Sequence, residues 1–359
     1  MLTNCEQYST INQRLANTQL RKLKEATLMK KTAALFGLVC ALFALFAFSS
    51  SAVSINDGMD AMVSQFKDGK ANLDYVYYSP VKNENDSTKY PLVVWLHGNS
   101  SGDYPGHQVR NSCIYNWSSE EYQKRFKGTE GAYLLLPRCP TGGLNPIAWG
   151  AERRNALKNT IDSFIQLNKD TIDTTRIYIG GYSMGGKMTI IMASQYPSFF
   201  AAAFPMSPVY EPTRAELKSM GNMPVWLFVN KNDRYISLDY NTVVKPNWRY
   251  FSKNCAFPQE SRFTVFSTFY HAEGVENASD VHNTWDAVTY DMFMKSGEVY
   301  YASETVNANG ETVSLAFPNG VISWLSSQSL DRGEDKISLN VIQMLIIFIK
   351  RLLSLIIVI

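Results

Sequence analysis

The sequence predicts an α/β protein built on a mostly parallel central sheet with helices on both faces. Three observations predict it. Continuous apolar runs of strand length recur, among them YPLVVWLHG at 90–98 and MPVWLFVN at 223–230, and such runs suit strands buried on both faces. Helix-period segments separate the runs, and this alternation is the pattern of a parallel sheet with crossover helices. Midway, IYIGGYSMGGKM (177–188) sets glycines around Ser183 between one apolar run and one helical stretch.

The elements follow in order. LDYVYYSP (73–80) alternates and is rich in aromatics, so it reads as a strand, and KNENDSTK after it reads as a polar turn. Residues 90–98 and GAYLLLPRCP (131–140) are the next two strands. In 151–168, Leu157, Ile161, Phe164 and Ile165 fall on one helical face. RIYIGG is a strand, and MGGKMTIIMASQYP is a helix stopped at Pro197. AAAFPMSPV (201–209) and 223–230 are buried strands with the helical TRAELKSMG between them. NWRYFSKN reads as a helix, RFTVFSTF (262–269) as a strand, and 282–296 as a helix. GEVYYASETVNANGETVSLAF reads as a β-hairpin turning at Asn309-Gly310, and VISWLSSQSL as a last short helix.

Apolar residues make up 45% and charged residues 18% of the 359, which is the composition of a globular chain. The formal net charge is +2. No basic block stands out, so the chain lacks the electrostatic footprint of a nucleic-acid binder. Met29-Lys30-Lys31, the apolar TAALFGLVCALFALFAF and then Ser49-Ser50-Ser51-Ala52 have the order of a secretory signal peptide. The expected organisation is an upstream extension at 1–28, a signal peptide at 29–52 and a catalytic domain at 53–330. The apolar tail at 331–359 is broken by Lys350-Arg351. The expected location is secreted or periplasmic, with membrane attachment only if the signal or the tail anchors the chain. Cys113, Cys139 and Cys255 remain in the mature part, an odd number that allows one disulfide or none. Their spacing fits no zinc motif, and neither a metal nor a cofactor is expected.

Gly181-Tyr182-Ser183-Met184-Gly185 matches G-x-S-x-G. Alone the motif is weak. Between a buried strand and a helix it becomes the nucleophile elbow, where small neighbours let a serine take a strained turn. A serine hydroxyl needs a base, and in this order the histidine follows the serine with an acid between them. His97 and His107 precede the serine. His282 is the preferred base and His271 the runner-up. Asp233, just past 223–230, is the acid, with Asp239 as the fallback. The oxyanion donors are the backbone N–H groups of Met184 and of Asn99, after His97-Gly98.

PLVVWLHGNSSG, YLLLPRCP with AWG, DTTRIYIGGYSMGG, PVWLFVNKND and VHNTWD, spread in order over about residues 70–328, resemble the blocks of secreted α/β-hydrolase esterases. They are most similar to the polyhydroxybutyrate-depolymerase-like, feruloyl and acetyl-xylan esterase group. The resemblance implies the α/β-hydrolase fold, Ser183 as nucleophile, Asp233 as acid and His282 as base. It also implies Trp149 and Trp285 beside the acyl pocket. The 297–317 hairpin and the apolar tail depart from that pattern. The function expected is a serine ester hydrolase acting on esters of plant polysaccharide or on related small esters. A serine peptidase or an acyltransferase on the same fold is the alternative, and a non-catalytic binding module is a third.

Overall fold

A computed structural model describes residues 55–81, 87–99, 107–110, 112–139, 149–233, 239–267, 281–294, 297–300 and 302–331. The expected extension, the signal segment, all of the tail beyond residue 331 and His271 lie outside them. The chain falls into two units, Met1–Gly58 and Met59–Ile359. The sheet and the candidate site belong to the second.

The sheet has nine strands: β1 (Lys67–Lys70), β2 (Asp74–Tyr78), β3 (Tyr90–Leu96), β4 (Tyr133–Pro137), β5 (Ile172–Tyr182), β6 (Ala202–Met206), β7 (Trp226–Asn230), β8 (Arg262–Phe266) and β9 (Ala302–Asn307). Their spatial order is β1-β2-β4-β3-β5-β6-β7-β8-β9. Strands β3 to β8 run parallel, and β1–β2, β2–β4 and β8–β9 pair antiparallel. The helices used below are α1 (Ile55–Val63), α2 (Arg154–Leu167), α3 (Met184–Gln195), α4 (Arg214–Met220), α5 (Lys245–Asn254), α6 (Trp285–Thr289) and α7 (Val321–Ser326).

Strand β3 shows why its sequence is apolar at every position. Leu92, Val94 and Leu96 pack into one core with Ile177, Ile179, Met188 and Phe164. Val93 and Trp95 pack into the other with Tyr178, Tyr182 and Phe204. Side chains alternate across a strand, so a sheet covered on both faces leaves no position for water. Polar β1, KDGK, lies at the sheet edge and is mostly exposed; it has no apolar signal to read, as is common at edges.

Two expectations change. The helix expected over 282–296 is only α6, Trp285–Thr289. Asp291 (φ 56°) and Met292 (φ 71°) then take left-handed conformations that end it. The turn carries the buried Asp291 carboxylate to the Ile322 N–H at 2.8 Å and the Arg125 guanidinium at 3.0 Å. The hairpin expected at 297–317 is also different. Its first arm is β9, the antiparallel edge strand on β8. The second arm returns over Gly310 (φ 85°) and pairs with the first through one isolated bridge, Val306 to Thr312, with no ladder beyond it among the described residues.

Order along the chain explains where a site forms. From β3 the chain moves outward to β4, then returns to the other side of β3 as β5 and continues outward to β6. Connections that leave two neighbouring strands in opposite directions open a crevice at their C-terminal ends, where ligands bind in open α/β sheets.

Candidate active site

Both rims of that crevice carry predicted residues. Ser183 follows β5, with φ 56° and ψ −117°, backbone values that few residues other than glycine tolerate. It precedes α3 as an N-cap, yet its side chain makes no capping bond. Backbone bonds hold the turn instead: the Ser183 N–H donates to the Met206 carbonyl at 2.9 Å, and the Ser183 carbonyl accepts from the Lys187 N–H at 3.0 Å. Gly185 is forced by close approach. A side-chain carbon there would strike the Leu96 carbonyl and lie 2.6 Å from the His97 carbonyl. Met184 opens α3, so its N–H has no acceptor within the helix and sits at the positive end of the dipole.

The loop after β3 forms the facing rim. A Cβ added to Gly98 would collide with the Tyr182 ring and lie 3.5 Å from the Ser183 Cβ. This bare backbone therefore passes directly beside the serine, and Asn99 follows it at an exposed position. Buried His97 braces the loop. Its Nδ1 is 2.7 Å from the Gly98 carbonyl, which can only accept, so Nδ1 carries the proton. Nε2 is then an acceptor, and the Cys139 N–H donates to it at 3.0 Å. The Trp149 indole N–H donates to the His97 carbonyl at 2.8 Å, and the two rings pack 5.2 Å apart. Trp149 is fully buried. Its one polar group holds the loop that carries Gly98 and Asn99.

Asp233 and His282 come together from either side of β8. Asp233 lies past β7, and its N–H returns to the Asn230 carbonyl at 3.2 Å. Its carboxylate, wholly buried, contacts His282 Nδ1 at 2.6 Å. Asp239 does something else: it accepts from the Asn241 and Thr242 N–H groups and caps the helical turn Tyr240–Val244.

Trp285 links this pair to the elbow. Its ring stacks on Tyr182, the residue before Ser183, at 4.4 Å, and meets the His282 ring edge-on at 5.5 Å. A second tie, absent from the sequence reading, joins Ser207 after β6 to Thr284, hydroxyl to hydroxyl at 2.9 Å. A serine and a threonine 77 positions apart offer no pattern to find. Among the described residues Cys113, Cys139 and Cys255 form no disulfide. Burial pushes each up to about 11, so they stay protonated near neutrality.

The fold has a counterpart among solved structures. A thermostable esterase superposes with a TM-score of 0.53 at 21% identity, over 75% of this chain and 64% of the other. The chain has the α/β-hydrolase fold. Residues 149–243 match the prolyl oligopeptidase family. Acetylxylan esterase A of Emericella nidulans is 26% identical over 177 residues, 44% of this chain and 51% of that protein. The bifunctional acetylxylan esterase/xylanase XynS20E of Neocallimastix patriciarum is 30% identical over 138 residues, 38% of this chain and 18% of that protein. Poly(3-hydroxybutyrate) depolymerase of Ralstonia pickettii is 26% identical over 139 residues, 35% and 27% of the two chains. The chain therefore spans about half or less of each of these relatives. The resemblance carried by its motif blocks, to esterases of the acetyl-xylan and polyhydroxybutyrate-depolymerase group, is supported by these matches.

Proposed function

We propose that the chain is a serine carboxylic-ester hydrolase working through an acyl-enzyme. Its substrates are acyl or feruloyl esters of plant polysaccharide, or related small esters. The observation that carries this reading is the strained Ser183 at a helix N-terminus beside the bare Gly98 backbone, with the Asp233–His282 pair tied in through Trp285. Asp233 holds the imidazole with its proton on Nδ1 and stabilises the imidazolium. The other ring nitrogen takes the Ser183 proton as the hydroxyl oxygen attacks the acyl carbon. The alkoxide oxygen of the tetrahedral intermediate accepts from the Met184 and Asn99 N–H groups. The imidazolium returns its proton to the departing alcohol, and water repeats the sequence to free the acid. The experiment is a panel of acetyl, butyryl and feruloyl esters with wild type and Ser183→Ala. Equal, slow turnover of every ester by both proteins overturns the reading.

The match of 149–243 to the prolyl oligopeptidase family favours one second reading, a serine peptidase. The same residues serve, and pocket shape decides between amide and ester. Cleavage of a blocked peptide faster than any ester in the panel selects it. Export is part of the proposal and rests on the order of the 29–52 segment. N-terminal sequencing of protein recovered outside the cytoplasm checks it, with a start near Ala52 expected.

A further inference from the structure

An open groove of about 600 Å³ runs between α5 and the edge strand β9. Its helical wall presents Lys245, Arg249 and Lys253, all exposed. Spaced four residues apart, the three form one row along α5, roughly 12 Å from first to last at 1.5 Å per residue. Among the described residues none of the three is in a salt bridge. Among the described lining residues Glu304, on the opposite wall, is the one carboxylate, and the turn Asn309-Gly310 closes one end. Tyr240 lies between the walls. Burial and the Glu304 charge raise its pKa, while the Arg249 charge opposes that rise. Three cations against one carboxylate concentrate positive potential in a concave channel, whereas the whole chain carries only +2. This local density is invisible in the net charge, and it forms because the i, i+4, i+8 spacing puts the three cations on one helical face beside β9.

We propose that this groove binds a carboxylate-bearing polysaccharide, such as a chain of uronic acid units, as a secondary site that holds polymer to the enzyme. Lysine and arginine pair with the sugar carboxylates, and the Glu304 carboxylate accepts from sugar hydroxyls. A nucleic acid fits less well. Single strands need exposed aromatic platforms, and here Trp248 is buried between Phe251 and Phe263, with ring centroids 5.1 and 5.0 Å away. From β5, which carries Ser183, to β9 is four strand spacings, roughly 19 Å at about 4.8 Å each. The choice of a sugar polymer rests on the esterase reading; the excess of cations does not.

The test is calorimetric binding of oligogalacturonate, a neutral xylo-oligosaccharide and an oligodeoxynucleotide of matched charge to the full chain, at low and raised salt. The Lys245→Gln, Arg249→Gln, Lys253→Gln triple variant and a Lys245→Arg, Lys253→Arg variant are compared. Expected are oligogalacturonate binding that weakens with salt, loss of about tenfold or more in the glutamine variant, and retention in the arginine variant. Turnover of a small acetyl ester should stay unchanged in both variants, which also shows that they fold. Equal binding by wild type and the glutamine variant overturns the proposal, as does no binding or a preference for the oligonucleotide. Failure of ester turnover in wild type strikes the esterase reading instead and leaves the binding result standing.

Discussion

The elbow at 177–209 and the segment at 282–300 sit on the same sheet, yet they differ in what holds them. Around Ser183 strand, strained turn and helix follow one another within a single short stretch of chain, and the one distant demand, backbone of Leu96 and His97 against Gly185, is met by a glycine already in the motif. Around 282–300 the constraints are distant. Asp291 ends α6 because Arg125 and the Ile322 N–H meet its carboxylate. His282 is held by Asp233 from 49 positions away. A local pattern is legible when the force that shapes it is local.

Four experiments break or sharpen that contrast. The largest effect is expected from Ser183→Ala, a loss on the order of 10⁴ to 10⁶ in kcat on a small ester with unchanged circular dichroism. A loss under about tenfold would show that the strained turn is only structural. Next is Asp233→Asn, which keeps the shape of the acid but not its charge. It should cost about 10⁴ in kcat, and parity with wild type would detach the His282–Asp233 pair from the chemistry.

The oxyanion loop lies between the two kinds of region. Trp149→Phe removes the donor to the His97 carbonyl, and His97→Ala removes the acceptor for Cys139. Loss of a full oxyanion donor costs about 10² to 10³. Loosening the loop should cost up to about 10² in kcat for His97→Ala and less for Trp149→Phe. KM should stay near wild type if these residues place the loop rather than touch the substrate. A rise in KM alone would instead put Trp149 beside the acyl pocket.

The smallest effect tests the distant constraint. Burial raises the Asp291 carboxyl to about 6, against the opposing pull of Arg125 and the Ile322 N–H. The folded state therefore holds this proton more tightly than the unfolded chain. Stability from this group is present below about pH 4 and is lost as pH rises through about 6. Asp291→Asn cannot titrate, so the wild-type Tm minus the variant Tm should fall over that interval. A flat difference would show that the buried pair does not titrate in that window.

Much of the fold was readable because buried parallel strands must be apolar at every position, and the runs at 90–98, 131–140 and 223–230 are. Polar β1 and the early end of α6 were not, since an edge strand needs no apolar pattern and Asp291 looks like any surface aspartate. At the site, chain order singled out Ser183, Asp233 and His282, and the fold brings the last two together at 2.6 Å. Order could not separate Asp233 from Asp239; the fold does, by spending Asp239 on the N–H groups of Asn241 and Thr242.

By itself, then, the sequence determined the strand–helix alternation, the elbow and the set of residues able to serve it, because periodicity and glycine placement act over a few residues. Only the tertiary structure decided that Trp149 braces a loop, that Ser207 ties to Thr284, and that three cations line one groove. Those outcomes depend on which distant surfaces meet, and nothing within a short window of chain encodes that.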